Sequence, residues 1–369
     1  MGAEVLPAIF NALSTIYESE IERQWNRVTY MLEHIQANGG TSDGSGKQVA
    51  FGVEFTGSTA STQAEGSDVA ASEYNSDINE PATFPWATYR SSFQVSEQEV
   101  DAARKAMGSP TALMDIFGER LLGCQAQIAL SIEKDVLTGT GVDASGNPTI
   151  IGIFGGALSA SGSYGGLNPA TYSEWASNVV SNGGVLRTLT PDLLAQVDQQ
   201  IFTASSLPWD TIVTSAGVTR KYMSFFTQGP PVTGQVPLVR MNDGGQNPQY
   251  GMGLANNAKM QLEQLYWQGK RVMRNAFSPA NKIAFLNMDK VRIKYLPHTP
   301  SRNEIELFQT LGLQGSTGGN RTITATGIPA RCVELAKTGD SHKVSIRATL
   351  AMAVTRRNAC GTLVDVAET

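Results

Sequence analysis

Apolar residues recur at Ile9, Leu13, Ile16, Ile21, Trp25, Val28 and Leu32, with acids and Arg23 between them. That is the three-to-four spacing of a helix with one apolar stripe. A Gly- and Ser-rich stretch from Ala37 to Lys47 then breaks the pattern, so residues 1–47 read as an arm: a helix that needs a partner surface, then a flexible joint. At residue 48 the period changes to two. Val49, Phe51, Val53 and Phe55 alternate with Gln48, Ala50, Gly52 and Glu54, and some thirty residues on Ala87, Tyr89, Ser91, Phe93 and Val95 alternate with Thr88, Arg90, Ser92 and Gln94. Thr56 to Glu80, between them, is poor in large apolar residues, so the two runs predict one long hairpin with a soft tip. A two-stranded hairpin is marginal alone; this one is expected to lie on another surface.

Ser96-Glu97-Gln98-Glu99 is a capping box and opens a short helix that stops at Gly108. Ser109-Pro110 starts a second, with Ser as N-cap and Pro at the first helical position. Its stripe runs through Leu113, Phe117, Leu121, Cys124, Ile128, Ile132 and Val136 and ends before Gly139, a helix roughly 40 Å long at 1.5 Å per residue. Gly139 to Gly166 reads as loop. Thr190-Pro191-Asp192 opens another helix, Trp209–Val213 a strand, and Ser215 a helix to Phe226. Strand-like runs follow at 261–267, 272–274, 283–287, 291–295, 330–335, 343–354 and 362–366. The order is α+β, without the regular alternation of a doubly wound sheet.

Composition narrows the function. Only 17% of the 369 residues are charged, against roughly 25% in ordinary soluble domains, which suggests that much surface meets protein and not water. A net charge of −5 argues against a broad basic grip on nucleic acid. Cys124, Cys332 and Cys360 form no C-x-x-C pair and read as free buried thiols; with His34, His298 and His342 scattered, no metal site is expected. Neither a basic leader at Met1-Gly2-Ala3-Glu4-Val5 nor an apolar run of about 18 residues is present, so neither secretion nor membrane insertion is expected.

The usual catalytic patterns fail. Gly40 to Gln48 resembles a phosphate loop but has Thr41 where glycine is needed and Gln48 where Ser or Thr is needed. Ser161-Gly162-Ser163-Tyr164-Gly165 misses the first glycine of a nucleophile elbow. Asp143-Ala144-Ser145-Gly146-Asn147 lacks the spaced carboxylates of a calcium loop and reads as a turn. No catalytic, cofactor-binding or metal residue is expected. Charge is distributed more informatively: residues 48–95 hold six acids (Glu54, Glu65, Asp68, Glu73, Asp77, Glu80) against Arg90, and residues 270–302 hold eight basic residues against Asp289. Opposite signs on an extended arm and a strand-rich body suggest complementary surfaces.

This order of elements resembles the major capsid proteins of tailed bacteriophages, of the Hong Kong ninety-seven-type fold that encapsulins share. The stretch Trp86-Ala87-Thr88-Tyr89-Arg90-Ser91-Ser92-Phe93-Gln94-Val95-Ser96-Glu97-Gln98-Glu99-Val100 is similar to the return strand of that family's E-loop, and Leu137-Thr138-Gly139-Thr140-Gly141 with Pro148 to Ile153 to the step from spine helix to axial domain. The resemblance implies an N-terminal arm at 1–47, an E-loop hairpin at 48–95 and a peripheral domain with the spine helix at 96–144. A mainly axial domain follows at 145–290, and strands completing both domains at 291–369. It implies pentamers and hexamers of this chain in an icosahedral virion shell assembled in the host cytoplasm. Its implied partners are a portal protein, a scaffolding protein, a decoration protein and weakly held double-stranded DNA. An encapsulin shell around cargo enzymes and a soluble α+β enzyme are the alternative readings.

Arms of this family reach across neighbours, so the arm is expected to serve assembly and not folding, and loss of residues 1–40 to leave a folded subunit. Some members lock neighbours through an E-loop lysine; here no lysine occurs from Gln48 to Arg104, so a noncovalent lock is expected. Its expected residues are Trp25 in the arm, Glu54, Glu73, Asp77 and Glu80 in the acidic loop, Phe84, Trp86 and Tyr89 as apolar anchors, and Arg271, Arg274, Arg292 and Lys294 on the basic strands.

Overall fold

The computed structural model describes residues 29–56, 78–98, 111–227, 265–296, 323–325, 328–335 and 341–368. Most of the expected arm helix, the hairpin tip, and the cap residues Glu99, Ser109 and Pro110 lie outside the described residues. In chain order the elements are α1 (Tyr30–Ala37), β1 (Thr41–Asp43), β2 (Gln48–Thr56), β3 (Ile78–Pro85), β4 (Ala87–Ser96) and α2 (Thr111–Thr138). Then come β5 (Thr140–Val142), β6 (Pro148–Ile151), β7 (Asn178–Val180), β8 (Arg187–Thr188), α3 (Pro191–Ser205), β9 (Thr211–Thr214) and α4 (Ala216–Thr227). The last are β10 (Leu265–Trp267), β11 (Lys270–Arg274), β12 (Lys282–Leu286), β13 (Val291–Tyr295), β14 (Ile323–Ala325), β15 (Ile328–Leu335), β16 (Ser341–Val354), β17 (Gly361–Val364) and β18 (Val366–Ala367).

The 14-residue β16 is the axis of the first sheet. It pairs antiparallel with β4, β13 and β15, and Leu350 is paired on both sides, with Ala87 and with Tyr295. Beneath it lies α2, whose Leu121, Cys124, Ile128, Ile132 and Val136 are buried as the sequence stripe predicts. Each such aliphatic contributes roughly 1.5–3 kcal/mol by leaving water.

The second sheet, in the order β10-β11-β9-β12-β17-β7, is covered on both faces. Val213, Met273, Ala284 and Leu286 face the core built on α2, while their neighbours Ile212, Val272, Ile283 and Phe285 face a second core with α3. The period-two alternation thus splits one set of strands between two cores. Capping is local and legible: Thr190 accepts from the amide of Leu193 at 3.3 Å and Ser215 from that of Val218 at 3.3 Å. Between β6 and β7 the chain is irregular, and close backbone approach demands glycine there. A Cβ on Gly155 would stand 1.9 Å from the carbonyl oxygen of Gly139, at the end of α2.

Two expectations are corrected. The hairpin is β2 with β3, register Gln48↔Pro85 to Thr56↔Ile78, while the predicted return strand β4 belongs to the first sheet through ten residue pairs with β16. Pro81 and Pro85 disguise β3 in the sequence; an edge strand accommodates them because it has amide positions outside the ladder. The joint after α1 is also ordered: β1 runs parallel to β13, with Thr41 opposite Ile293.

Candidate assembly interface

The hairpin base carries its apolar face inward, onto its own chain. Phe51 stacks on Phe84 with ring centroids 5.6 Å apart, Phe84 meets Tyr164 at 4.7 Å, and Phe55 stacks on Tyr172 at 4.3 Å. The amide of Thr83 donates to the carbonyl of Gly165 at 2.9 Å. Gly165 has φ +62°, and a Cβ there would lie 2.8 Å from the Phe84 ring, so the docking depends on that glycine.

The expected aromatic anchors are therefore engaged within the subunit. Phe84 is 2% exposed. The hydroxyl of Tyr89 donates to Asp135 Oδ2 at 2.7 Å and accepts from the amide of Ile150 at 3.4 Å. Burial raises both the Tyr89 phenol and the Asp135 carboxyl above their ordinary values, so each group favours its protonated form more than it would in water. Trp86, half-buried over Gly44, donates from Nε1 to the carbonyl of Gly46 at 2.9 Å. As an anchor for a neighbour Phe84 is corrected, because a side chain already covered by its own chain has almost no apolar surface left to bury; Tyr89, like Trp86, is half-buried and keeps some. Of the acids, Glu54 is exposed and Glu80 half-exposed; Trp25, Glu73 and Asp77 lie outside the described residues.

The basic run divides between two sheets. Arg271 and Arg274 lie on β11; Arg292 and Lys294 alternate with buried Val291 and Ile293 on β13 and so share its outer side. Arg274 is exposed, Arg271 lies half-buried beside His34, and Arg292 Nη1 donates to the carbonyl of Gly39 at 3.0 Å. Lys270, not among the expected partners, sits 4.0 Å over the ring of Trp209.

Two buried charges escaped the sequence reading. Glu133 on α2 is 0% exposed and accepts from the amides of Met31 at 2.9 Å and Leu32 at 2.8 Å, and from the side-chain amide of Asn275. Thr29, the N-cap of α1, makes no side-chain cap bond, so a carboxylate about a hundred residues away caps that helix. Burial raises the Glu133 carboxyl although its three donors pull it down. Met31, Leu32 and Ile35 are themselves fully buried, which corrects the expectation that residues 1–40 are dispensable for folding. Arg357, 1% exposed, donates from Nε to Ala157 O at 2.7 Å and from Nη2 to Ser159 O at 2.6 Å, and lies over the rings of Tyr164 and Trp175. In sequence Glu133-Lys134-Asp135 looks like a solvated charge cluster, and Arg356-Arg357 a surface pair.

The Asp143 segment is a turn, as expected: Asp143 Oδ1 accepts from the amides of Ser145 and Asn147, both at 2.8 Å. Cys124 and Cys360 are free and buried, and burial pushes the Cys360 thiol up to about 12. Among the described residues no cluster of His, Cys, Asp and Glu could hold a metal, and no helix is long and apolar enough to cross a membrane.

A long helix beneath a sheet threaded by one long strand, a hairpin docked beside it, and a second sheet buried on both faces make up the phage-capsid fold of the Hong Kong ninety-seven type, the α+β architecture expected. The chain's fold is similar to the cyanophage A-1(L) capsid asymmetric unit, with TM-score 0.71 and 18% identity over 96% of this chain and 97% of that one. It is also similar to the capsid of a native GTA particle (TM-score 0.57, 12% identity, all of both chains) and to the SrpI encapsulin of Synechococcus elongatus (TM-score 0.52, 11% identity, 98% and 96%). No match was found among curated proteins. The family model of the SU10 major capsid protein matches residues 41–367, and the chain belongs to that family. It is a structural protein of the bacteriophage capsid that associates with copies of itself.

Proposed function

We propose that this chain closes into pentamers and hexamers and builds an icosahedral shell around double-stranded DNA. The family match over residues 41–367 carries this reading. Heterologous contacts that close into rings give such a shell from one chain. Its other partners are a portal protein, a scaffolding protein and a decoration protein; the DNA is held by weak, nonspecific contact, in keeping with the net charge of −5.

Between neighbours, the acidic hairpin of one subunit rests on basic strands of another. Exposed Glu54 and half-exposed Glu80 supply one side, with Glu73, Asp77 and, in the arm, Trp25 further along; Arg274, Arg271, Arg292 and Lys294 supply the other. Such exposed pairs contribute about 0–1 kcal/mol each, so charge sets register and rate more than affinity. Because screening lengths fall from about 10 Å at 0.1 M salt to 3 Å at 1 M, high salt slows assembly more than it dissolves finished shells.

Size-exclusion chromatography with negative-stain microscopy of the purified chain tests the shell: megadalton closed particles are expected, and a small soluble oligomer overturns the reading. The encapsulin likeness supports a second reading, a shell around cargo enzymes. Nuclease-protected double-stranded DNA in shells from infected cells favours the first; co-purifying protein cargo in empty shells favours the second.

A further inference from the structure

The most exposed large apolar side chains among the described residues are Val185 at 65%, Phe202 at 64% and Leu186 at 59%. Val185 and Leu186 stand on a loop that is held rigid. The carboxylate of Asp365, in a left-handed backbone conformation (φ +64°), accepts from the amides of Asn182 at 2.8 Å and Gly184 at 3.1 Å. Asn182 Nδ2 donates to the carbonyl of Val185 at 2.8 Å, and the amide of Arg187 to the carbonyl of Asp365 at 2.8 Å. A loop with this many internal bonds loses little freedom when it binds, which is the condition for a binding knob.

Apart from the Asp365 carboxylate beneath the loop and Arg187 at its end, charge is sparse in the chain leading to it. From Ala144 to Leu186 the chain carries a single charged side chain, Glu174, although many of these residues are exposed. The exposed side of α3 is likewise uncharged where Gln196, Gln199, Gln200, Phe202 and Thr203 lie. Charge depletion with an aromatic is the mark of an interface core. The two patches differ and sit apart: the knob ends four residues before the N-cap Thr190, and Phe202 lies roughly 16 Å along α3 from its first turn, at 1.5 Å per residue. A head-to-tail contact needs two different patches on one subunit, whereas a two-fold contact needs one patch twice. An apolar knob is best matched by an apolar surface with little charge, and on this chain the C-terminal half of α3 around Phe202 is one, the acids Asp192 and Asp198 lying nearer its start.

We propose that Val185 and Leu186 of one copy pack against the Phe202 face of α3 in the next copy, as the apolar centre of a head-to-tail contact between subunits. The inference rests on the shell reading and deepens it by naming the contact residues.

The test measures, for the full-length chain, the concentration at which half the subunits assemble, by light scattering and microscopy. V185D/L186D and F202D are each expected to raise that concentration at least about tenfold, the effect of losing a buried hot spot, with melting temperature and circular dichroism unchanged. The combined variant is expected to be no worse than the worse parent, because both act at one contact. D365A, which loosens the loop but keeps its side chains, should raise the threshold by less. Footprinting of wild-type Val185, Leu186 and Phe202 should show all three protected in shells and reactive in free subunits, and this arm needs no variant to fold. Unchanged thresholds, additive effects or full reactivity in intact shells overturn the proposal. A wild-type chain that forms no shells overturns the shell reading itself, and the proposal with it.

Discussion

Helix α1 and the irregular segment around residues 153–177 are docked on the same core by opposite means. At α1 a buried acid gathers amides: Glu133 accepts from Met31, Leu32 and Asn275. At the irregular segment a buried base gathers carbonyls: Arg357 donates to Ala157 and Ser159 and lies against Tyr164 and Trp175. Among the described residues neither charge has an ion-pair partner; backbone and amide dipoles, with aromatic faces for Arg357, take the place of water. The difference lies in what is left if the charge is removed. An orphaned buried N–H has no second option, whereas a carbonyl with two lone pairs is more often partly satisfied already.

That contrast can be broken by substitution. Glu133→Leu strands three donors and should cost the most, roughly 3–9 kcal/mol at about 1–3 kcal/mol per unsatisfied buried group. Denaturant unfolding of the subunit checks it; a loss under 1 kcal/mol would mean that α1 docks through its apolar side chains alone. Arg357→Met keeps the contact with Tyr164 and Trp175 but leaves two carbonyls unpaired, while it also removes Nη1, a buried donor with no partner among the described residues. The expected loss is smaller, about 1–3 kcal/mol. A larger loss for Arg357→Met than for Glu133→Leu would reverse the comparison.

Acidity sharpens it further, with a smaller effect. Burial holds the Glu133 carboxyl above its ordinary value, so its contribution is fully present below the usual glutamate range and is lost as pH rises through its folded-state value. Burial lowers the Arg357 guanidinium only to about 10, so it stays protonated and contributes no slope below pH 9. Asp135 and Asp210, also raised by burial, add a slope of the same sign as Glu133. The melting-temperature advantage of wild type over Glu133→Gln should therefore shrink as pH rises above about 4.5, while that over Arg357→Met stays level up to pH 9. A wild-type advantage over Glu133→Gln that grows with pH would show that the three donors outweigh burial.

Regular elements were legible from sequence because their signals are local. The stripe from Leu121 to Val136, the caps Thr190 and Ser215, and the alternation in 343–354 each report a backbone period or a bond within four residues. From these, and the order in which they occur, the α+β class and the capsid resemblance followed. Pairing and docking were not legible, because they depend on partners far along the chain. The β4 sequence alternates equally well whether it pairs with a hairpin partner or with β16. Nothing near Glu133 announces that Met31 and Leu32 will cover it, and nothing near Arg357 that Tyr164 and Trp175 will. The sequence by itself determined the long helices and the strongly alternating strands and which face of each is apolar, while the short or proline-bearing strands β1, β3, β5 and β6 escaped it. Only the tertiary structure decided which strand closes the hairpin, which charges are buried, and that Phe84 is spent inside the subunit while Val185, Leu186 and Phe202 are left outside. The physical reason is that periodicity is written in neighbouring residues, whereas burial is a property of whatever the fold brings alongside.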